Sequence, residues 1–136
     1  EIFWAKKGGK AHMDKKIARI SKNGHRRKRE MFLFCGGHSN AGQKKFTSIM
    51  RKIDPKEVRF RSLASAGIEF SSVACGRADG CVLTDVQPWD VVAGVLLVRA
   101  AGGKVTNFEG EEWNLKHKTI VASNGASHTK LLDLVS

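Results

Sequence analysis

Met31-Phe32-Leu33-Phe34-Cys35, an unbroken apolar run closed by Gly36-Gly37, constrains the fold more than any other segment of this chain. A strand with no polar residue has no face to give to water, so it belongs in the middle of a sheet covered on both sides. Helices are the usual cover, and the neighbouring sequence supplies them. Ser39 or Asn40 can cap a helix running to about Ile53, with Phe46, Ile49, Met50 and Ile53 spaced along one face. Asp54-Pro55 stops it, and Val58-Arg59-Phe60-Arg61 then alternates as a strand.

The same alternation continues to the end of the chain. Ser65 starts a helix whose Ile68, Phe70, Val73 and Ala74 are expected to form a buried stripe, ending at Gly76. Cys81-Val82-Leu83 reads as a short buried strand, and Pro88-Trp89-Asp90 leads into an apolar helix from Val91 to Ala101. Strands follow at Lys104–Phe108 and Thr119–Ala122, joined around Gly110, and a final helix spans about Ala126 to Leu134. Before the buried strand, Ile2 and Trp4 suggest one short strand, and Ile17 and Ile20 a second. The expected class is α/β, a mixed β-sheet flanked by helices, within one domain over residues 1–136. Only the run from Val91 to Val98 approaches a membrane segment in character, and it is far too short to span a bilayer. Three cysteines without CxxC spacing read as buried, reduced thiols in a cytoplasmic protein.

Charge divides the chain in two. Residues 1–61 hold 18 Lys/Arg against five Asp/Glu, whereas residues 62–136 hold six against eight. The first part, a basic hairpin, strand and helix region, must attract anions such as phosphate esters or nucleic acid. Its densest piece is His25-Arg26-Arg27-Lys28-Arg29. No aromatic residue lies between Trp4 and Phe32, which removes the stacking partners that nucleic-acid proteins interleave with their cations.

Three places can carry chemistry. Ala64-Ser65-Ala66-Gly67 sets small side chains at a strand-to-helix junction, where unpaired backbone N–H groups can meet a ligand; small residues also serve close packing. Asp90 opens an apolar helix, where an acid is ordinarily a cap. His12, His25, His38, His117 and His128 show no metal-ligand spacing and read as surface or structural residues. No Walker A loop, G-x-S-x-G or HExxH motif is present.

Taken together, several of these segments resemble the inositol monophosphatase family of magnesium-dependent sugar-phosphate phosphatases. The matching stretches are Arg61-Ser62-Leu63-Ala64-Ser65-Ala66-Gly67 and Val73-Ala74-Cys75-Gly76-Arg77-Ala78-Asp79-Gly80. Pro88-Trp89-Asp90-Val91-Val92-Ala93-Gly94 and Ala101-Gly102-Gly103 follow at the family's spacing, while the hairpin Glu1–Ala11 matches more loosely. The resemblance implies that Asp90 ligates Mg2+ and lies against the substrate, and that Ala64, Ser65 and Ala66 line the substrate through their backbone. It implies a phosphate monoester of inositol or a related sugar or polyol as substrate. It also implies a homodimer for the full-length parent.

Two departures qualify this. Where the family has a glutamate that binds a substrate hydroxyl, this chain has Leu83; Asp85, two residues on, is the nearest carboxylate. The family's other metal-binding motifs, a glutamate-rich segment and D-P-x-D-G-T, are absent, so the chain reads as a C-terminal portion that is inactive by itself. The alternative is a basic, non-catalytic module that binds nucleic acid or another polyanion.

Overall fold

The computed structural model describes residues 1–22 and 29–136; the basic run His25–Arg29 lies outside the described residues except for Arg29. The main sheet has five strands: β4 (Glu30–Cys35), β5 (Val58–Arg61), β6 (Gly80–Thr84), β7 (Lys104–Thr106) and β8 (Thr119–Ser123). Their spatial order is β5-β4-β6-β8-β7, with β4 parallel to β5 and to β6 and the β8 pairings antiparallel. The sheet is mixed, as its sequence pattern implies.

Helices α1 (Asn40–Lys52), α2 (Ala66–Ala74), α3 (Pro88–Ala100) and α4 (His128–Val135) flank it. The continuous apolar strands serve two cores at once, because successive side chains point to opposite faces. Phe32, Phe34, Val82 and Val121 join Ile49 of α1 and Leu131 of α4. Leu33, Cys81, Leu83, Ile120 and Ala122 join Phe70 and Val73 of α2 and Val91, Val95 and Val98 of α3. Alternation within an all-apolar run is thus real, although no polar residue marks it.

The first segment forms a separate three-stranded antiparallel sheet, β1 (Phe3–Trp4), β2 (His12–Met13) and β3 (Lys16–Ile17). The sequence pattern showed two strands here and missed β2. His12 lies opposite Trp4, and their rings stack at 3.9 Å. Phe3, Ala5 and Met13 pack on the α2–α3 core, and Ala11 and Ile20 donate N–H bonds to the carbonyls of Ala100 and Ala101 at the end of α3. Buried Asp79 adds a second tie: its Oδ1 accepts from the Ser21 hydroxyl at 2.7 Å and its Oδ2 from the Met31 N–H at 2.8 Å.

Two expectations change. Ile68 was expected in the buried stripe of α2, yet it is 54% exposed; buried Glu69 takes a place on the inward face instead. Of the three cysteines, only Cys81 is fully buried, while Cys35 and Cys75 are partly exposed, and all three are free thiols.

Candidate active site

The parallel strands β4, β5 and β6 end on the same side of the sheet, and the loops that follow them enclose a cleft of about 350 Å3. Neighbouring strands β4 and β6 lead into α1 and α3, which contribute to opposite cores. Diverging connections of this kind open a crevice beyond the carboxyl ends of the strands, the usual ligand position in α/β sheets.

Four sequence segments meet there. Cys35, Gly36, Gly37 and His38 follow β4; Ala64, Ser65, Ala66 and Gly67 join β5 to α2; Leu83, Thr84, Asp85 and Val86 end β6; Asp90 and Val91 open α3. The fold therefore brings together all four residues singled out as site candidates, Ala64, Ser65, Ala66 and Asp90. It adds the Cys35–His38 loop, which sequence reasoning treated only as the end of a strand. A glycine pair between a buried strand and a helix cap was the available signal.

Each candidate has a definite local setting. Ser65 is the N-cap of α2 and adopts an extended conformation, but its side chain makes no capping hydrogen bond. Gln87, the N-cap of α3, makes none either. The first-turn N–H groups of both helices are therefore without side-chain caps, and with the helix dipoles they favour a negative group. Asp90 lies in the first turn of α3 rather than at its cap, and its carboxylate has no hydrogen-bond partner among the described residues. Ordinary N-capping therefore does not account for it.

Beneath the wall, Glu69 is fully buried and accepts a 3.1 Å hydrogen bond from the Leu63 N–H through Oε1, while Oε2 has no partner. Burial pushes its carboxyl up to about 7, against the opposing effect of the Leu63 bond. Cys35 is raised to about 11, by burial first and then by the charges of Glu69 and Asp90, so it stays a thiol and is no nucleophile at neutral pH. Leu83 is 1% exposed and forms part of the α2–α3 core as well as the cleft floor. Asp85, the nearest carboxylate to that position, is engaged through one oxygen: its Oδ2 accepts the Ser39 N–H at 2.9 Å, at the start of α1.

A family model described as the inositol monophosphatase family matches residues 1–136. The chain belongs to that family. It is 29% identical to the fructose-1,6-bisphosphatase/inositol-1-monophosphatase of Thermotoga maritima over 136 residues, covering all of this chain and 51% of the relative. It is 31% identical over 139 residues to the inositol-1-monophosphatase of Mesorhizobium japonicum, covering 99% of this chain and 51% of that protein. Among solved structures, the extragenic suppressor protein SuhB of Bartonella henselae superposes with a TM-score of 0.86 at 31% identity, covering 98% of this chain and 52% of that one. The chain thus spans about half the length of the relatives it matches, and that half has the family's fold.

Proposed function

We propose that the chain is the C-terminal part of a magnesium-dependent phosphatase that hydrolyses a phosphate monoester of inositol or a related sugar or polyol. The observation that carries this reading is the unpartnered Asp90 carboxylate at a cleft where α2 and α3 begin without side-chain caps. Asp90 is the metal ligand in this account. The N-termini of α2 and α3 favour the negative charge of the ester, and the small residues Ala64, Ser65 and Ala66 let its alcohol part approach the backbone. Family membership supports the assignment of these roles.

Magnesium fits this cleft in kind but not in number. A hard cation takes carboxylate oxygen, which Asp90 offers, but it also requires an octahedral oxygen shell. Among the described residues no group of three His, Cys, Asp or Glu could hold a metal ion. The remaining ligands are assigned to the other half of the parent, and the chain alone is expected to be inactive. Phosphate release by the full-length protein from a panel of sugar and polyol monoesters, with magnesium and with a chelator, tests the reading. Release that depends on magnesium supports it; no release from any ester overturns it.

A polyanion-binding role has one observation in its favour. Lys6, Lys7, Lys10, Lys15 and Lys16 are exposed in β3 and the loops joining β1 to β3, and none is paired with a carboxylate among the described residues. Phosphate contacts give binding that weakens steeply with salt. A salt titration with single-stranded RNA therefore decides this reading, and a flat response removes it.

A further inference from the structure

Asp85 holds a backbone that is uncommon for a non-glycine residue. Three non-glycine residues described here have left-handed φ: Asp14 in the turn before β3, and Ala64 and Asp85, which both line the cleft. Left-handed backbone disfavours residues with a Cβ, although aspartate tolerates it better than most. Such conformations persist where their surroundings over-determine them, and they concentrate at functional sites.

At Asp85 (φ 53°) the surroundings do over-determine it. Its Oδ2 accepts the Ser39 N–H, and Ser39 in turn caps α1 by accepting the Gly42 N–H on its hydroxyl at 3.0 Å. Thr84, the preceding residue, accepts the Gly37 N–H at 3.1 Å and donates to the Gly42 carbonyl at 3.2 Å. The Gln43 side-chain amide closes the ring on the Gly37 carbonyl. Packing agrees with the hydrogen bonds. A Cβ on Gly37 would stand 2.2 Å from the Asp85 Cβ, and one on Gly42 would stand 2.6 Å from it. The Asp85 side chain is therefore wedged into space that two glycines leave open.

This wedge joins two of the connections that form the cleft. One carries Cys35 and His38; the other runs from β6 into α3, where Asp90 sits. We propose that Asp85 is a positioning residue, which pins the Gly36–Ser39 loop to the β6–α3 connection and so fixes the opening between His38 and Asp90. The role rests on the phosphatase reading of the same cleft, because it is the placement of substrate against Asp90 that the pin protects. It goes beyond that reading in giving Asp85 a task other than contact with substrate.

The test uses the full-length protein and two variants. Asp85→Gly relieves the left-handed backbone while removing the carboxylate, so a loss of function in it does not come from backbone strain. Asp85→Asn tolerates the same backbone and keeps an acceptor oxygen for the Ser39 N–H. In Asp85→Gly, hydrogen exchange at the Ser39 and Gly42 amides accelerates, and kcat/KM falls at least about tenfold, chiefly through KM, with no drop in Tm. Asp85→Asn restores kcat/KM to within about threefold of the parent, since asparagine caps about as well as aspartate. Unchanged exchange in Asp85→Gly overturns the pin, and unchanged kcat/KM with faster exchange overturns its role in positioning. A parent that releases no phosphate, with exchange responding as expected, overturns the phosphatase reading and the positioning role that rests on it.

Discussion

His128 makes the fold sensitive to acid in a way that a single substitution can expose. It opens α4, is 2% exposed, and its two ring nitrogens are hydrogen-bonded to the hydroxyls of Ser123 at 2.8 Å and Thr106 at 2.9 Å. Burial, with a smaller contribution from the charge of Lys104, lowers its pKa from 6.5 to about 4. The unfolded chain therefore binds a proton at this position before the folded one does. Its stabilising contribution is complete above pH 6.5 and is lost as the pH falls toward 4. At 1.36 kcal/mol per pKa unit, the loss over that window is about 3 kcal/mol. His128→Gln removes the titration at a fixed cost in packing and hydrogen bonding. Urea denaturation of both forms at a series of pH values between 7 and 4 measures the effect. The stability gap between them should be widest near pH 7 and narrow by about 3 kcal/mol toward pH 4. A gap that stays constant with pH refutes the reasoning, because it would mean that His128 titrates alike in both states.

Glu69 acts with the opposite sign: its folded pKa of about 7 lies above 4.5, so stability is complete below pH 4.5 and declines as the pH rises through 7. Urea denaturation of Glu69→Gln should show it gaining on the parent chain across that rise, and a pH-independent difference counts against the assignment. The chain by itself should self-associate in light scattering, because Leu63, Ile68, Trp89 and Val92 are exposed around α2 and α3, beside a groove of about 710 Å3 against β1. A clean monomer at high concentration would contradict that. Calorimetry on the same chain should find only very weak magnesium binding, since Asp90 alone cannot build a site, and tight stoichiometric binding would show that further ligands lie within these residues.

The main sheet and its helices were legible because their boundaries carry local chemistry. Gly36-Gly37 ends β4, Ser39 caps α1, Asp54-Pro55 follows it, and Pro88 opens α3, each where the local rule sets it. What the pattern could not show depends on tertiary neighbours. Strand β2 is two residues long and owes its place to pairing with β1 and β3, so no periodicity marks it. Ile68 is exposed where helical spacing expected it buried, and Glu69 is buried with its Oε1 accepting the Leu63 N–H, a contact from before the helix that helical spacing does not reveal. Asp90 and the Ala64–Ala66 wall stand out through their places at helix starts, and the family motif gave them their expected roles. The Cys35–His38 side of the cleft was missed because it comes together only when β4 and β6 lie side by side.

The Asp90→Asn variant of the full-length protein tests the central claim most directly. Asp90 is neither the N-cap of α3 nor hydrogen-bonded among the described residues, so asparagine should leave folding nearly unchanged, within about 0.5 kcal/mol. Magnesium-dependent phosphate release should nonetheless fall by orders of magnitude, because a charged ligand is lost from the cation site. Full activity in that variant, with the fold intact, would remove Asp90 from the chemistry and contradict the account.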